Sequence, residues 1–319
     1  MFSLIIPVAP GREADIRTSI GRLDYPASGY EVLIIRGSNP SANRNRGARQ
    51  ARGDILVFLD DDAAIPADYL RQAEAFFAQH PAVDIVGGPQ LTSEEDRGFS
   101  KISWYALSSI FGAWKVSNRY AVRKARFNVD ETAVSSANLL CRRQVLEKIA
   151  FDTRLFPGED PKFIADARKA GYTIAYSPTI LLYHHRRPTI VRLIQQIFSY
   201  GKTRPQKETL RDTLKMPFFF APSLFLFYLL GLGCLAAVKP QLISNTPTGA
   251  VVFSPLLTYV LSAIFFGIYD GLKHRDIKAV FFLPFIYPVI HISYGAGMVW
   301  GYCRKMVRRP VTGIMTRSD

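Results

Sequence analysis

Two long runs without a charged side chain fill much of the last third of this chain, Met216–Val238 and Ala250–Ile268. About 20 apolar residues suffice to cross the hydrocarbon layer as a helix. In lipid a segment must satisfy its own backbone, so helices and closed barrels are the only spanning structures. Each run is therefore expected to be a spanning helix. Between them, residues 239–249 carry one lysine, Lys239, whereas Lys273, Arg275 and Lys278 follow the second run. Positively charged loops stay on the cytoplasmic side. That places the 272–278 loop, and everything before residue 216, on the cytoplasmic face of an inner membrane in a multi-pass arrangement. A third apolar segment, residues 279–302, is interrupted by Pro284, Pro288 and His291. If it crossed, Arg304, Lys305, Arg308 and Arg309 would lie outside, against the charge rule, so a re-entrant or interfacial segment is expected there.

The chain has a net charge of +14, which favours anionic partners. The basic residues thicken before the apolar region, at Arg186, Arg187, Arg192, Lys202, Arg204, Lys207, Arg211 and Lys215, a placement that suits anionic headgroups. No zinc knuckle, RNA-binding signature or DNA-reading helix occurs, so nucleic acid is not an expected partner. From Pro188 to Gly201, apolar Ile190, Val191, Ile194, Ile197 and Phe198 oppose Arg192, Gln195 and Gln196. Either a helix in the membrane interface or a domain helix facing the core fits that pattern. Cys141, Cys234 and Cys303 are too scattered for a metal cluster and odd in number, which points to a reducing compartment for the catalytic part. The expected organisation is a domain over 1–187, a basic helix and linker over 188–215, a membrane region over 216–302 and a basic tail over 303–319.

Before residue 188 the pattern is that of an α/β domain. Phe2–Val8, Glu31–Ile35 and Ile55–Leu59 read as buried strands, with Ser41–Arg52 as a crossover helix. Apolar strands alternating with helices predict a mostly parallel sheet. Met1–Val8 lacks a basic stretch ahead of an apolar core, so it reads as a strand and not as a signal peptide. Pro66–Gln79 predicts an amphipathic helix with Pro66 at its first position and Tyr69, Leu70, Ala73, Phe76 and Phe77 on one face. Val83–Val86, Ala133–Cys141 and Thr173–Tyr183 are further strands. An aromatic stretch (Trp104, Leu107, Phe111, Trp114) is expected to pack on the sheet, the alternative being contact with an acceptor lipid, and a basic loop (Arg119, Arg123, Lys124, Arg126) to be solvated or to close over phosphates.

Asp60-Asp61-Asp62 directly follows the Ile55–Leu59 strand. Three adjacent carboxylates repel one another, and ligands of open α/β sheets bind at that end of the strands. Oxygen donors suit Mg²⁺ or Mn²⁺, which also bind phosphate oxygens. The competing reading is a solvated acidic turn that caps the helix after it.

The flanking residues decide between these readings. Ser41-Ala-Asn-Arg44-Asn45-Arg-Gly47, then Gly53-Asp54-Ile-Leu-Val-Phe-Leu59, then Asp60-Asp61-Asp62 resemble family 2 of the nucleotide-sugar glycosyltransferases, whose fold is the Rossmann-like GT-A. The resemblance covers residues 2–187. It implies that Asp60 and Asp62 occupy the Asp-x-Asp places, with Asp62 on the metal and Asp60 near the donor's ribose. Pro7, Arg44, Asn45, Asp61 and Glu159 would complete the donor side. A second match is Phe156-Pro-Gly158-Glu159-Asp160. There the resemblance makes Asp160 the general base, which inverting transfer needs because the acceptor hydroxyl loses its proton as it attacks. Asp160 before Pro161 also fits a helix N-cap. A third match is His184-His185 after the Thr173–Tyr183 strand. There His184 or His185 is a candidate for the metal shell or for a diphosphate contact, with His184 the one assigned to the metal; the alternative is a polar interface beside Arg186 and Arg187.

Two departures stand out. The second strand ends Ile34-Ile35-Arg36-Gly37-Ser38 where the family has an acidic pair for the nucleobase, and Arg36 accepts no hydrogen bond. The acidic residue after the first strand is displaced, leaving Glu13 as a late substitute. No Arg-Trp follows Gln195 and Gln196, so the Gln-x-x-Arg-Trp motif of processive synthases is lacking and single-sugar transfer is expected. The function implied is inverting transfer of one sugar from a nucleoside diphosphate sugar to a hydroxyl of a membrane- or lipid-linked saccharide, with Mg²⁺ or Mn²⁺. The alternatives are transfer onto a polyprenyl phosphate, an inactive nucleotide-sugar-binding membrane scaffold, and a nucleotidyltransferase. For the last, Pro10-Gly11-Arg12 is the sole trace of a phosphate loop.

Overall fold

The strands that read as continuous apolar runs do so because helices cover both faces of their sheet. A computed structural model describes residues 1–241 and 246–307; the tail with Arg308 and Arg309 lies outside the described residues. In chain order the elements are β1 (Phe2–Val8), α1 (Arg17–Ile20), β2 (Tyr30–Arg36), α2 (Pro40–Gln50), β3 (Ile55–Leu59), β4 (Ala63–Ala64), α3 (Tyr69–Gln79), β5 (Ile85–Gly87), β6 (Gln90–Thr92), α4 (Phe99–Ser108), α5 (Ile110–Ala113), β7 (Arg126–Phe127), β8 (Asn138–Arg142), α6 (Arg143–Lys148), α7 (Glu159–Lys169), β9 (Ile174–Tyr176) and β10 (Leu182–His184). Then come α8 (Ile190–Lys207), α9 (Leu210–Leu214), α10 (Ala221–Val238), α11 (Thr246–Lys273) and α12 (Ile277–Val307).

The main sheet has the order β2-β1-β3-β8-β5-β9-β7, and β4-β10-β6 form a smaller one. In the main sheet β2, β1, β3, β5 and β9 run the same way, while β8 and β7 oppose them. It is thus mixed but mostly parallel. Leu4, Ile6 and Val8 of β1 enter one core with α3, and Ile5 enters the other with α7. β3 divides its residues the same way, as the period of two requires.

Several elements differ from the sequence reading. The strand expected from Ala133 starts only at Asn138, because Ser135 to Asn138 closes a turn. The strand expected over Thr173–Tyr183 splits at Pro178, which has no N–H for a ladder, so β9 and β10 join different sheets. The helix expected from Pro66 starts at Tyr69; Pro66 accepts a turn bond from it. The buried face of α3 is the expected one, Tyr69, Leu70, Ala73, Phe76 and Phe77, where burying a Leu or Phe side chain contributes roughly 1.5–3 kcal/mol.

The aromatic stretch does not pack on the sheet, whose faces are already covered. Tyr105, Leu107 and Phe111 instead share a third core with Leu193 and Ile197 of α8 and with Ala279, Leu283, Tyr287 and Ile290 of α12. The His274 ring stacks on Tyr105 at 4.2 Å, and Phe111 stacks on Phe266 at 5.1 Å. α8 follows the domain-helix reading on one face, where Leu193 and Ile197 are buried, but leaves Ile190, Val191 and Ile194 exposed. Its backbone touches α12: a Cβ on Gly201 would overlap the Tyr294 carbonyl, and one on Gly297 or Gly301 the carbonyls of Phe198 or Lys202. The segment expected to be re-entrant or interfacial is one unbroken helix, α12, despite Pro284 and Pro288. Three stretches, Pro217–Val238, Pro247–Lys273 and Ile277–Val307, are long and apolar enough to cross a membrane. Part of the basic cluster read as headgroup-facing is buried instead. Arg204 and Lys207 pair with Glu131, and Arg186 donates to the Gln90 carbonyl over the Tyr120 ring.

Candidate active site

A single cavity of about 1220 Å³ opens at the carboxyl ends of β1, β2 and β3 and runs to the apolar helices. Pro7, Arg44, Asp60, Asp61, Asp62, Glu159, Asp160 and His184 all line it. Asn45 does not. Its side-chain amide donates to the Phe151 carbonyl at 2.8 Å and accepts from the Phe151 N–H at 2.9 Å, so it clamps the loop before α7. That corrects its expected place on the donor. Asn43, two residues earlier, faces the cavity and donates to the Gly37 carbonyl at 2.9 Å.

The antiparallel bridge between β4 and β10 sets Ala63 opposite His184. This register, and not a chance surface meeting, brings the histidine to the aspartate triplet. Nε2 of His184 lies 3.0 Å from Asp62 Oδ1 and 3.8 Å from Asp60 Oδ2. One ligand atom from each of the three residues lies within 4.8 Å of the others. His184 Nδ1 is 2.8 Å from the His185 carbonyl oxygen. That oxygen only accepts, so Nδ1 carries a proton, and Nε2, which faces the carboxylates, can hold a second proton or give its lone pair to a cation. Three electron-rich atoms this close require positive charge between them, either a proton or a divalent cation. A ligand histidine anchored by a backbone carbonyl is the usual arrangement around a metal, so the donor set fits one. His185 takes the polar-interface role instead, 3.0 Å from Asp96.

Arg12 lies 3.2 Å from Asp61 and 3.4 Å from Asp62. Glu13, the expected acidic substitute, is exposed and does not line the cavity. Burial would raise the Asp62 carboxyl, but the hydrogen bond and charge of His184, with Arg12, outweigh it and hold Asp62 well below the usual carboxylate range. Asp61 goes the other way, pushed up to about 6 by burial and by the charges of Asp62 and Asp60. Arg36, at the end of β2, donates to the Arg12 carbonyl at 2.7 Å.

The two motifs are joined by a buried arginine. Arg44 Nη2 reaches Asp60 at 3.1 Å and Nη1 reaches Glu159 at 2.9 Å, and the guanidinium lies 5.6 Å over the Phe151 ring. α2 can present it there because Asn39 caps the helix, accepting from Ala42 N–H at 3.0 Å, and because Gly47 lets α2 lie against Ile5. Glu159 is thus a partner of Arg44 in the cavity wall. Burial and the Asp160 charge push its carboxyl up to about 7 against the pull of Arg44. Arg44 Nε and Glu159 Oε2 are buried without a partner among the described residues, which leaves two polar atoms for a ligand.

Asp160 caps nothing. The N-cap of α7 is Gly158, at φ 118°, and no side chain caps the helix. The Asp160 carboxylate faces the cavity and, among the described residues, is held by Arg119 at 3.5 Å. Arg119 also donates to the Glu131 carbonyl. The basic loop is therefore anchored at Arg119, not loosely solvated. Arg12, Arg119 and Glu131 belong to no motif; Pro10-Gly11-Arg12 after the first strand is the sequence signal that pointed to the first of them.

Comparisons with known proteins agree with this arrangement. A model described as glycosyltransferase-like family 2 matches residues 18–200, more than half of the chain. The chain is 26% identical over 255 residues to glycosyltransferase AglE of Haloferax volcanii, covering 70% of this chain and 79% of that one. It is 19% identical over 217 residues to a Methanococcus voltae enzyme named dolichyl N-acetyl-alpha-D-glucosaminyl phosphate 3-beta-D-2,3-diacetamido-2,3-dideoxy-beta-D-glucuronosyltransferase, covering 57% of this chain and 65% of that one. Among solved structures, mannosyltransferase PcManGT of Pyrobaculum calidifontis, in complex with GDP-Man and Mn²⁺, superimposes with a TM-score of 0.60. It is 15% identical, with 95% of this chain and 87% of that one covered; at that identity the likeness is one of fold, the GT-A fold. The chain belongs to glycosyltransferase family 2 and is a transferase.

Proposed function

We propose that this enzyme transfers, with inversion, one sugar from a nucleoside diphosphate sugar to a hydroxyl of a lipid-linked saccharide. The observation that carries the reading is the continuity of one cavity. The Asp60-Asp62-His184 set, the Asp160 carboxylate and the apolar residues Phe225, Phe266 and Ile290 all border it. A Mg²⁺ or Mn²⁺ ion held by Asp60, Asp62 and His184 would neutralise the departing diphosphate. Arg44 fixes Asp60 relative to Glu159, and Arg119 steadies Asp160 so that its carboxylate takes the acceptor's proton. The relatives support the substrate classes: one is named for transfer to a dolichyl-phosphate-linked sugar, and a fold neighbour binds GDP-Man with Mn²⁺. The test is a panel of nucleotide sugars with Mn²⁺ or Mg²⁺ and membrane lipid extract, with released nucleoside diphosphate as readout. Asp160→Asn should keep metal-dependent donor binding and lose about 10²–10⁴-fold in transfer. Asp62→Ala should lose metal-dependent donor binding. Normal transfer by the Asp160 variant would sink the base assignment.

The proposed site of action is the cytoplasmic face of a membrane, with α10 and α11 as the two spanning helices. Two contacts argue that α12 lies along the domain instead of leaving it. At its start, the turn bearing His274 stacks on Tyr105 of α4. Near its end, Lys305 donates to the Glu208 carbonyl at 3.0 Å, beyond α8. A helix tied to the domain at both ends keeps Arg304 and Lys305 on the domain's side, in accord with the charge rule. Cys303 and Cys234 are both exposed and permit a direct check in oriented vesicles. A membrane-impermeant maleimide should reach Cys303 only from the cytoplasmic side; labelling from the opposite side would refute this topology.

A further inference from the structure

The cavity wall holds more positive charge than its carboxylates offset. Among its described lining residues, arginines and lysines outnumber aspartates and glutamates by two. Most of the cations are committed. Arg12 serves Asp61 and Asp62, Arg44 serves Asp60 and Glu159, Arg119 serves Asp160, and Arg204 and Lys207 serve Glu131. Arg186 is held by backbone carbonyls and an aromatic ring. Arg187 and Arg192 remain. Both border the cavity, and neither side chain makes an ion pair or hydrogen bond among the described residues.

Their place in the fold is specific. Arg187 follows His184 by three residues, in the turn that leads from the candidate cation site to α8. Arg192 sits in the first turn of α8, at the head of a polar stripe, Arg192, Gln196, Ser199 and Thr203, that borders the cavity. The adjacent face of the helix, Leu193 and Ile197, is buried on the third core. Tyr200, on the same stripe, senses the charges of both Arg187 and Asp160, which puts the free cation in the neighbourhood of the base. Beyond the stripe the wall turns apolar through Phe111, Phe225, Tyr259 and Phe266. Two uncommitted guanidiniums between a catalytic carboxylate and an apolar wall match a molecule with a phosphate between a polar head and a hydrocarbon tail.

We propose that Arg187 and Arg192 form the receptor for the phosphate of a lipid-phosphate acceptor, with its tail along the apolar wall of the same cavity. This rests on the transferase reading above and adds the acceptor's anionic group to it. Guanidinium–phosphate hydrogen bonds would fix the acceptor head by its charge, so recognition depends on the phosphate and not on hydrocarbon alone. The other source of phosphate is the donor, whose diphosphate would then be the true occupant of these arginines.

The test uses the full chain in detergent, with geranylgeranyl phosphate, geranylgeranyl diphosphate and geranylgeraniol as probes. Binding is read by intrinsic fluorescence, and Mn²⁺-dependent binding of GDP and UDP is measured in parallel. At least one of the phosphorylated lipids should bind tenfold or more tighter than the alcohol. Arg187→Gln/Arg192→Gln should remove that advantage while leaving the alcohol and the nucleotides unchanged. The substituted side chains are exposed and unpaired among the described residues, so the melting temperature should stay unchanged. The proposal is overturned if the alcohol binds as tightly as both phosphorylated lipids, or if the double variant keeps the advantage. It is also overturned if the variant weakens nucleotide binding and spares the lipid, which would assign the arginines to the donor. None of these readouts needs turnover, so failure of the transferase reading would appear separately, as nucleotide sugars left intact.

Discussion

Arg44 is the side chain whose removal best tests how the two halves of the active site are held together. It is 4% exposed, and both of its carboxylate partners lie within 3.1 Å. Arg44→Met keeps the apolar stem against Phe151 and deletes only the charge. Breaking a buried pair leaves the other ion uncompensated, at about 3–5 kcal/mol. At roughly 2–4 °C per kcal/mol for a domain of this size, the melting temperature should fall on the order of 10 °C at pH 8. The pH dependence identifies the cause. Burial and the Asp160 charge already push Glu159 up to about 7 with Arg44 present; without Arg44 it rises further. At pH 5 the Glu159 carboxyl is then neutral in the folded state, and the cost should shrink to that of lost hydrogen bonds, roughly 1–2 kcal/mol. At pH 8 the double variant Arg44→Met/Glu159→Gln should recover most of the deficit. Thermal melts of the detergent-solubilised chain at the two pH values decide it. An equal deficit at both, or no recovery on adding Glu159→Gln, would refute the claim that Arg44 neutralises a buried Glu159.

Three further outcomes follow from the same geometry. Glu159→Gln alone should flatten the stability–pH curve. The raised carboxyl contributes stability that is full below pH 4.5 and lost as pH rises through about 7, roughly 3 kcal/mol at 1.36 kcal/mol per unit; an unchanged slope between pH 5 and 8 counts against it. Asn45→Ala should cost about 1–3 kcal/mol, because it strands the buried Phe151 N–H and carbonyl, and should leave the donor KM unchanged; a KM effect without a melting shift would restore Asn45 to the donor. Gly297→Val should drive α12 off the Phe198 carbonyl and lower the melting temperature by several degrees, whereas Gly231→Val, which meets nothing within 4 Å, should not; equal effects would mean that the close approach of α8 and α12 is not what matters.

What the sequence disclosed was whatever depends on local pattern. β1, β2 and β3 were legible because a strand covered on both faces is apolar throughout. The aspartate triplet was legible because three mutually repelling carboxylates end such a strand, and the motif around them favoured a ligand over a solvated turn. Long-range pairing was not legible. His184 could be placed beside Asp62 only through the register of β4 and β10, and a two-residue strand leaves no periodicity. Asn45 misled because a motif marks a position, while two bonds to Phe151, more than 100 residues away, settle its role. Arg204 and Lys207 read as membrane-facing because charge density is visible in a sequence, whereas their partner Glu131 sits 73 residues earlier in an irregular loop. One signal was available and passed over: Gly297 and Gly301, four apart in an apolar segment, carry the spacing that lets helix backbones touch, and α8 lies against them.

The position of Asp160, the proposed base, depends on the apolar helices through side chains outside every motif. Asp160 is held by Arg119, and Arg119 is held by the Glu131 carbonyl. The Glu131 carboxylate is 4% exposed and finds its countercharges on α8, in Arg204 at 3.6 Å and Lys207 at 3.4 Å. α8 in turn keeps its place by backbone contact with α12 and by Lys305 closing on its last turn. Burying each of these ions costs several kcal/mol unless its partner is present, so the cluster holds only while α8 and α12 are docked. Undocking would strand Glu131, free the loop that carries Arg119, and release the Arg119 contact of Asp160. On the proposal above, an acceptor with a lipid tail would enter by that same wall. The placement of the proposed base and the walls that would receive the tail are therefore set by a single packing arrangement, and the proposed base would be in position when the cavity for the tail is complete.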